Sequence, residues 1–138
     1  MPDPKRLFAR PLNLLTDPPA RLRLAAAALA VLLAVNLFYH GAQPYAVGLV
    51  PRPWDKLVHL AFFGGMAGLA WIVLGGRGVG AHLGAVGIAV GIGVLDEFAQ
   101  LRLPGRSVDV RDFAADFVGA ALAVLLLWAV RARRVRTA

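Results

Sequence analysis

Four long apolar segments, separated by short stretches rich in glycine, proline and charge, dominate the chain. They cover residues 24–39, 57–74, 81–101 and 112–130. A membrane-spanning helix needs about 20 apolar residues to cross about 30 Å of hydrocarbon, and the segments approach or reach this length. The pattern therefore predicts an all-α, polytopic membrane protein, with four transmembrane helices forming a small bundle over residues 24–130.

The first segment needs a further argument, because an apolar run after a basic region can also be a cleaved signal peptide. Here the basic region is long, and the run ends in FYHGAQ, where cleavage would require a small-x-small pattern. We therefore predict a retained first helix. The remaining chain is then a basic cytoplasmic leader over residues 1–23 and a basic cytoplasmic tail over residues 131–138.

The composition agrees with a membrane protein, since 59% of the 138 residues are hydrophobic and the mean hydropathy is +0.66. A net charge of +7 would suggest nucleic acid in a soluble protein. In this chain the basic residues flank the apolar segments, so we expect membrane lipids as partners and no nucleic acid. The absence of cysteine excludes thiol chemistry, and no HExxH-like pair occurs, so we predict neither a metal site nor a cofactor.

The charges around the spans predict the orientation. Ten of the 15 Lys and Arg fall on the side of the two chain ends, and five fall on the other side. Because Lys and Arg are enriched in cytoplasmic loops, both termini are predicted to be cytoplasmic, in the bacterial inner (cytoplasmic) membrane. Six of the eight carboxylates then lie on the outer side: Asp55, Asp96, Glu97, Asp109, Asp112 and Asp116.

Polar residues recur at helical spacing near the outer ends of the last three spans. They are Asp55, Lys56 and His59; Asp96, Glu97 and Gln100; and Asp112 and Asp116. Residues three or four apart share a helix face, and at a rise of 1.5 Å per residue the deeper ones would lie on the order of 7 to 12 Å below the outer boundary. An ionisable residue within a span is costly and usually marks a functional site. We therefore predict that three helices present polar groups at one depth.

These motifs carry a family resemblance. DKLVHLAFF at 55–63 and DEFAQLRLPGRSVDVRDFAADFVGA at 96–120 resemble the VanZ-like family of small bacterial membrane proteins, with a match in order and spacing over residues 53–127. The matching polar positions are Asp55, Lys56, His59, Asp96, Glu97, Gln100, Pro104, Gly105, Arg106, Asp112 and Asp116. Asp109 stands where a small hydroxylated residue is expected. The resemblance implies an association with the cell envelope and glycopeptide antibiotic resistance, and no enzyme class.

We predict an outer-leaflet polar pocket that binds a lipid-linked or amphiphilic ligand, such as a lipid-linked cell-wall precursor or a glycopeptide. The predicted ligand-binding residues are Asp55, Lys56, His59, Asp96, Glu97, Gln100, Arg106, Asp112 and Asp116. Lys56, Arg102 and Arg106 would form a cationic rim, with hydrogen-bond acceptors beneath it.

Three alternatives stay open. A membrane hydrolase or transferase acting on a phospholipid or polyprenyl phosphate would use His59 as acid and Glu97 or Asp116 as base, so the question of enzyme activity is left open. A structural bundle would use the same groups, with Lys56 and Arg106, only as an internal salt-bridge network. A proton-coupled carrier would require a homo-oligomer, and no internal inverted repeat is visible.

Several residues have structural predictions only. Asp109, three residues before Asp112, resembles a helix-start cap. Trp54, Trp71 and Trp128 lie near span ends and are predicted to belong to the aromatic belt. Small residues four apart are predicted to allow close helix packing, and these pairs are Gly64 and Gly68, Gly80 and Gly84, Gly87 and Gly91, and Gly119 and Ala123.

Overall fold

The computed structural model describes residues 18–104 and 109–135, with side chains as far as residue 133. Within these ranges the chain forms four α-helices and one short 3-10 turn, and no strand. The helices are α1 (Ala20–Gly41), α2 (Trp54–Val73), α3 (Gly78–Gln100) and α4 (Val110–Val135), and the turn is Pro44–Ala46. All four helices are long and apolar enough to cross a membrane, which confirms the all-α fold with four membrane spans.

Each helix begins two to four residues before the apolar segment that predicted it. At the starts of α1 and α2 the added residues include charged side chains, Arg23 and Lys56, which find partners in the bundle. In α1, Arg21 and Arg23 are helical, and Arg23 Nε donates to the carbonyl of Val73 over 2.8 Å. This bond ties the start of α1 to the end of α2.

The connections around α2 are short. Pro53 directly precedes the helix, and its carbonyl accepts the N–H of Lys56 over 3.1 Å. After α2 ends at Val73, α3 already begins at Gly78. Gly75 and Gly76, with φ of +82° and +64°, supply the left-handed backbone that this tight connection requires.

Helix α2 is the centre of the bundle and packs most extensively against α4. The two helices approach closely where Gly119 of α4 lies directly against the carbonyl of Leu60. One turn further, a Cβ on Gly64 would lie 3.1 Å from the carbonyl oxygen of Gly119 and 3.8 Å from the Cβ of Ala123. Glycine at these positions lets the two backbones meet, as the small-residue spacing predicted.

The other predicted small-residue pairs do not form contacts between the described helices. A Cβ added at Gly68, Gly80, Gly87 or Gly91 would meet no atom within 4 Å, whereas one at Gly84 would meet a Leu74 methyl at 3.0 Å. A four-residue spacing of glycines therefore identified the α2–α4 crossing and overpredicted contacts on α3.

The apolar core lies between α2, α3 and α4 and is built from small residues around one indole ring. Its buried members are Met66, Ala67, Ala70, Trp71, Ala85, Ala89, Ala120 and Val124. Trp71 is only 1% exposed, so its assignment to the aromatic belt was wrong. The short connection covers the ring, because a Cβ at Gly76 would lie 2.8 Å from it. Trp54 and Trp128 are 61% and 54% exposed, as belt residues would be.

Candidate functional site

The start of α2, the end of α3 and the start of α4 meet at one end of the bundle, and the polar residues predicted for these helix ends come together there. We call seven interacting residues the polar cluster: Asp55, Lys56, His59, Glu97, Asp109, Asp112 and Asp116. The cluster has an outer layer around Lys56 and an inner layer around His59. This arrangement follows from the order of the helices, since α2 and α4 run in the same direction and α3, which connects them along the chain, runs in the opposite direction.

Lys56 organises the outer layer. Its ammonium group lies 3.0 Å from Asp55 Oδ2, donates to Asp109 Oδ2 over 3.0 Å, and also donates to Asp112 Oδ1. These side chains are between 15% and 21% exposed, so the layer is reached only at its edge. An ammonium has three N–H donors, and here three carboxylates surround it. Lys56 therefore neutralises acids of its own chain and is not a free cation on a rim.

Asp109 has two functions in this layer. As predicted, it caps α4, because its Oδ1 accepts the N–H of Arg111 over 2.9 Å. Its second oxygen binds Lys56 and, at 3.3 Å, Arg52. The N–H of Arg111, and next to it Lys56, hold the pKa of the Asp109 carboxyl below its usual value of 3.8.

The inner layer is a histidine between two aspartates. His59 Nδ1 is hydrogen-bonded to Asp116 Oδ1 at 2.8 Å, and its Nε2 lies 3.8 Å from Asp112 Oδ1. The ring also stacks on Phe63, with centroids 6.0 Å apart. Asp116 is 1% exposed. A histidine held in this way has a fixed orientation, with a hydrogen-bonded carboxylate at Nδ1 and a second carboxylate near Nε2 but beyond hydrogen-bond distance.

Asp116 fits into the bundle because α3 has a glycine opposite it. A Cβ on Gly93 would lie 2.5 Å from Asp116 Oδ2, so any larger residue would close the space at that oxygen. Among the described residues Oδ2 has no hydrogen-bond partner. The sequence offered no signal for Gly93, which is one of many glycines in α3.

Glu97 connects the inner layer to the start of α4. Its Oε2 accepts the backbone N–H of Asp109 over 3.2 Å. Its other oxygen, Oε1, is buried and has no hydrogen-bond partner within the described chain. Glu97 and Asp116 thus each leave one buried carboxylate oxygen unpaired.

Asp96 and Gln100, which were predicted to join the same site, form a neighbouring pair. Gln100 Nε2 donates to Asp96 Oδ2 over 2.7 Å, and both side chains are buried. Asp96 is directed towards the end of α1, where a Cβ on Gly41 would lie 3.5 Å from its Oδ1. The predicted ligand-binding set therefore divides between two adjacent groups.

The predicted cationic rim consisted of Lys56, Arg102 and Arg106. Arg102 is exposed just after the end of α3, and Arg106 lies outside the described residues, as does Gly105. No three His, Asp or Glu side chains within residues 18–104 and 109–135 are arranged so that they could hold a metal ion.

A separate groove runs between α3 and α4, towards the opposite end of the bundle. It has a volume of about 1010 Å³ and apolar walls that include Val79, Val86, Phe117 and Trp128, with Arg131 among its lining residues. No residue of the polar cluster lines it.

Four apolar helices that enclose ionised groups at one end define this chain as a multi-pass membrane protein. The family model described as VanZ/LLP1 matches residues 12–131. The chain therefore belongs to the VanZ/LLP1 family, in agreement with the resemblance of its motifs. No curated protein and no solved structure matches the chain.

Proposed function

We propose that this VanZ-like protein resides in the bacterial cytoplasmic membrane with both termini in the cytoplasm, and that its polar cluster faces the outer leaflet. There the cluster binds the polar headgroup of an amphiphile, such as a lipid-linked cell-wall precursor or a lipophilic glycopeptide. A function in the response to glycopeptide antibiotics follows from the family resemblance and forms part of the proposal.

The observation that carries this proposal is the pair of unpaired oxygens, Glu97 Oε1 and Asp116 Oδ2. Leaving a buried polar atom without a partner costs about 1 to 3 kcal/mol, and more for a charged group. Trp71 Nε1 and His82 Nε2, towards the other end of the bundle, are also buried without a partner in the described chain. The two oxygens of the cluster differ in that both belong to acidic groups, for which the cost is larger, and this favours a bound group at their end. Hydroxyl and amine donors on a headgroup would pair with them.

The outer layer suggests the route to these acids. The outer-layer residues Asp55, Lys56, Asp109 and Asp112 are partly exposed at this end of the bundle, and His59 of the inner layer is 21% exposed as well. A headgroup would enter from that end and exchange contacts with this layer. Because Lys56 is occupied by carboxylates, its contribution is to hold the acids in place, and the phosphate of a lipid would have to find its cation elsewhere.

The alternative function is a membrane hydrolase or transferase acting on a phospholipid or polyprenyl phosphate. The 2.8 Å contact between His59 Nδ1 and Asp116 Oδ1 supports it, since a carboxylate that orients an imidazole is a common unit of general acid and base catalysis. In that case His59 and Glu97 or Asp116 would transfer protons during the reaction.

The test uses purified protein in detergent, titrated with candidate lipids and assayed for phosphate release with and without a chelator. Saturable binding without product, lost in the conservative variants Glu97→Gln and Asp116→Asn, is the expected result. Turnover that is abolished by the chelator and by Asp116→Asn would replace the binding function with the enzymatic one. Variants that keep full binding but accumulate poorly in the membrane would assign the cluster to structure alone.

A further inference from the structure

The unpaired oxygens also indicate which charge the bound headgroup carries. Glu97 and Asp116 are 6% and 1% exposed, and each has an oxygen that accepts no hydrogen bond from the described chain. An ionised carboxylate only accepts hydrogen bonds. Whatever pairs with these two oxygens must therefore bring N–H or O–H donors.

Within the described residues the cluster has no spare cation to supply them. The bases that contact its acids there are Lys56 and His59 from α2, with Arg52 reaching Asp109 at the edge. Lys56 is surrounded by the outer carboxylates, and His59 is bonded to the other oxygen of Asp116. The acids of the cluster are Asp55 from α2, Glu97 from α3, and Asp109, Asp112 and Asp116 at and beyond the start of α4.

Among the described residues the acids of the cluster thus outnumber the bases, so a phosphate at the inner layer would face like charge. An ammonium would complement it, and charged partners form the stronger hydrogen bonds. Asp116 Oδ2 packs against Gly93, where a Cβ would lie 2.5 Å away, and is closed off from solvent. The inner layer of the described chain therefore combines buried, unpaired acceptors with an excess of negative charge.

Building on the proposed function, we propose that the headgroup bound by the polar cluster carries a primary ammonium group, which donates hydrogen bonds to Glu97 Oε1 and Asp116 Oδ2. The ligand class is an amphiphile with a protonated amine, in contrast to an amphiphile recognised through its phosphate.

The experiment compares probes that share one chain and differ in the headgroup. Radiolabelled dodecylamine, which is protonated at pH 7, is titrated into the purified protein in an uncharged detergent. The competitors are unlabelled dodecylamine, dodecyl phosphate, dodecanol and the short-chain amine butylamine. The double variant Glu97→Gln, Asp116→Asn removes both charges with little change of shape. Asn36→Ala is the control, because Asn36 is a polar span residue that bonds only its own helix, at the carbonyl of Leu32.

We expect saturable binding of dodecylamine that is weakened at least tenfold in the double variant and unchanged in Asn36→Ala. Competition by dodecyl phosphate equal to that of unlabelled dodecylamine would overturn the ammonium assignment and leave headgroup binding intact. Equal competition by butylamine would show that the ammonium is bound without a long apolar chain, and would overturn the assignment of the ligand as an amphiphile. Absence of binding by all the dodecyl probes would overturn this inference, while the lipid titration decides the proposed function separately.

A second measurement on the wild-type protein removes the dependence on variants that fold poorly. A hydrophobic carbodiimide modifies buried carboxyl groups only when they are protonated, and mass spectrometry locates the product. A carboxyl activated by the carbodiimide can also couple to a primary amine with release of the urea, so the carbodiimide adduct and the dodecylamide are counted together as modification. A bound ammonium keeps the carboxylates ionised and unreactive, so dodecylamine should lower the total modification of Glu97 and Asp116 while dodecanol should not. Modification that no probe changes would mean that the two acids simply hold protons, and the proposal would be wrong.

Discussion

The geometry of the polar cluster depends on the close crossing of α2 and α4, which the substitution Gly119→Ala tests directly. The added Cβ would meet the carbonyl oxygen of Leu60 first, far inside contact distance, and would lie 2.8 Å from the carbonyl carbon and 2.9 Å from the Cα, whereas ordinary contacts begin at 3.4 Å. All three atoms belong to the backbone and cannot rotate away. The two helices must therefore separate by about an ångström or more at this level, because a close-packed interior offers no void to absorb the atom.

The separation acts on the inner layer, since His59 precedes Leu60 and Asp116 lies one turn before Gly119. Their 2.8 Å hydrogen bond would lengthen past the usual range for such bonds. Overpacking of this kind costs about 1–3 kcal/mol. Alanine is favoured over glycine within a helix by up to about 1 kcal/mol, which offsets part of the cost. A clash between backbone atoms places this substitution at the upper end of the overpacking range, so we expect a net loss of about 2 to 3 kcal/mol in the free energy of unfolding.

The assay is equilibrium unfolding in mixed micelles with increasing dodecyl sulfate, followed by circular dichroism. Gly87→Ala is the matched control, because its added Cβ would have no atom of the bundle within 4 Å. The control should be as stable as wild type or more stable, whereas Gly119→Ala should be less stable. Equal stability of Gly119→Ala and Gly87→Ala, with probe binding retained in both, would refute the close crossing.

Three further predictions follow from the charges. Cysteines introduced at the two chain termini should resist a membrane-impermeant reagent in intact cells, and one at Gln43 should react; labelling at a terminus would contradict the orientation. Glu97→Gln and Asp116→Asn should each impair function at near-normal membrane abundance, whereas loss of the protein itself would favour a structural network. Because the pKa of Asp109 is lowered on folding, its stabilising effect is present above its usual value of 3.8 and disappears as the pH falls through the folded value, so Asp109→Asn should flatten the acid limb of the unfolding curve.

The membrane spans were predictable because the hydrophobic requirement is set by the thickness of the bilayer and little else. The helix ends were less predictable, since a side chain such as Arg23 lets a helix extend further when a partner like the Val73 carbonyl lies within reach. The environment of Trp71 was unpredictable for the same reason, because it depends on a contact between separate parts of the chain. Its position near a span end resembled a belt residue, but a short glycine connection folds over the ring and buries it.

The candidate site was predictable as a region and not as a set of contacts, because Asp109 joins the cluster although only a helix cap was predicted for it, while Asp96 and Gln100 form a separate pair. Helical spacing correctly placed Lys56 and His59 on one helix end, where they meet acids from other helices. Spacing within a helix cannot show that Lys56 is enclosed by three carboxylates, because that depends on how α2 and α4 are aligned. For the same reason the sequence did not distinguish Gly93, whose importance lies in the aspartate opposite it.

A purely structural explanation has to account for the imbalance in the cluster. Replacing a buried ion pair by apolar residues of similar size is often neutral or stabilising, so stability alone gives little reason to place ionised groups in a membrane bundle. It gives still less reason to leave Glu97 Oε1 and Asp116 Oδ2 without partners. The outer layer, in which Lys56 pairs with three carboxylates and Arg52 with one of them, is the arrangement expected of a structural network. The inner layer departs from that arrangement at the two oxygens where we propose that a ligand's ammonium binds.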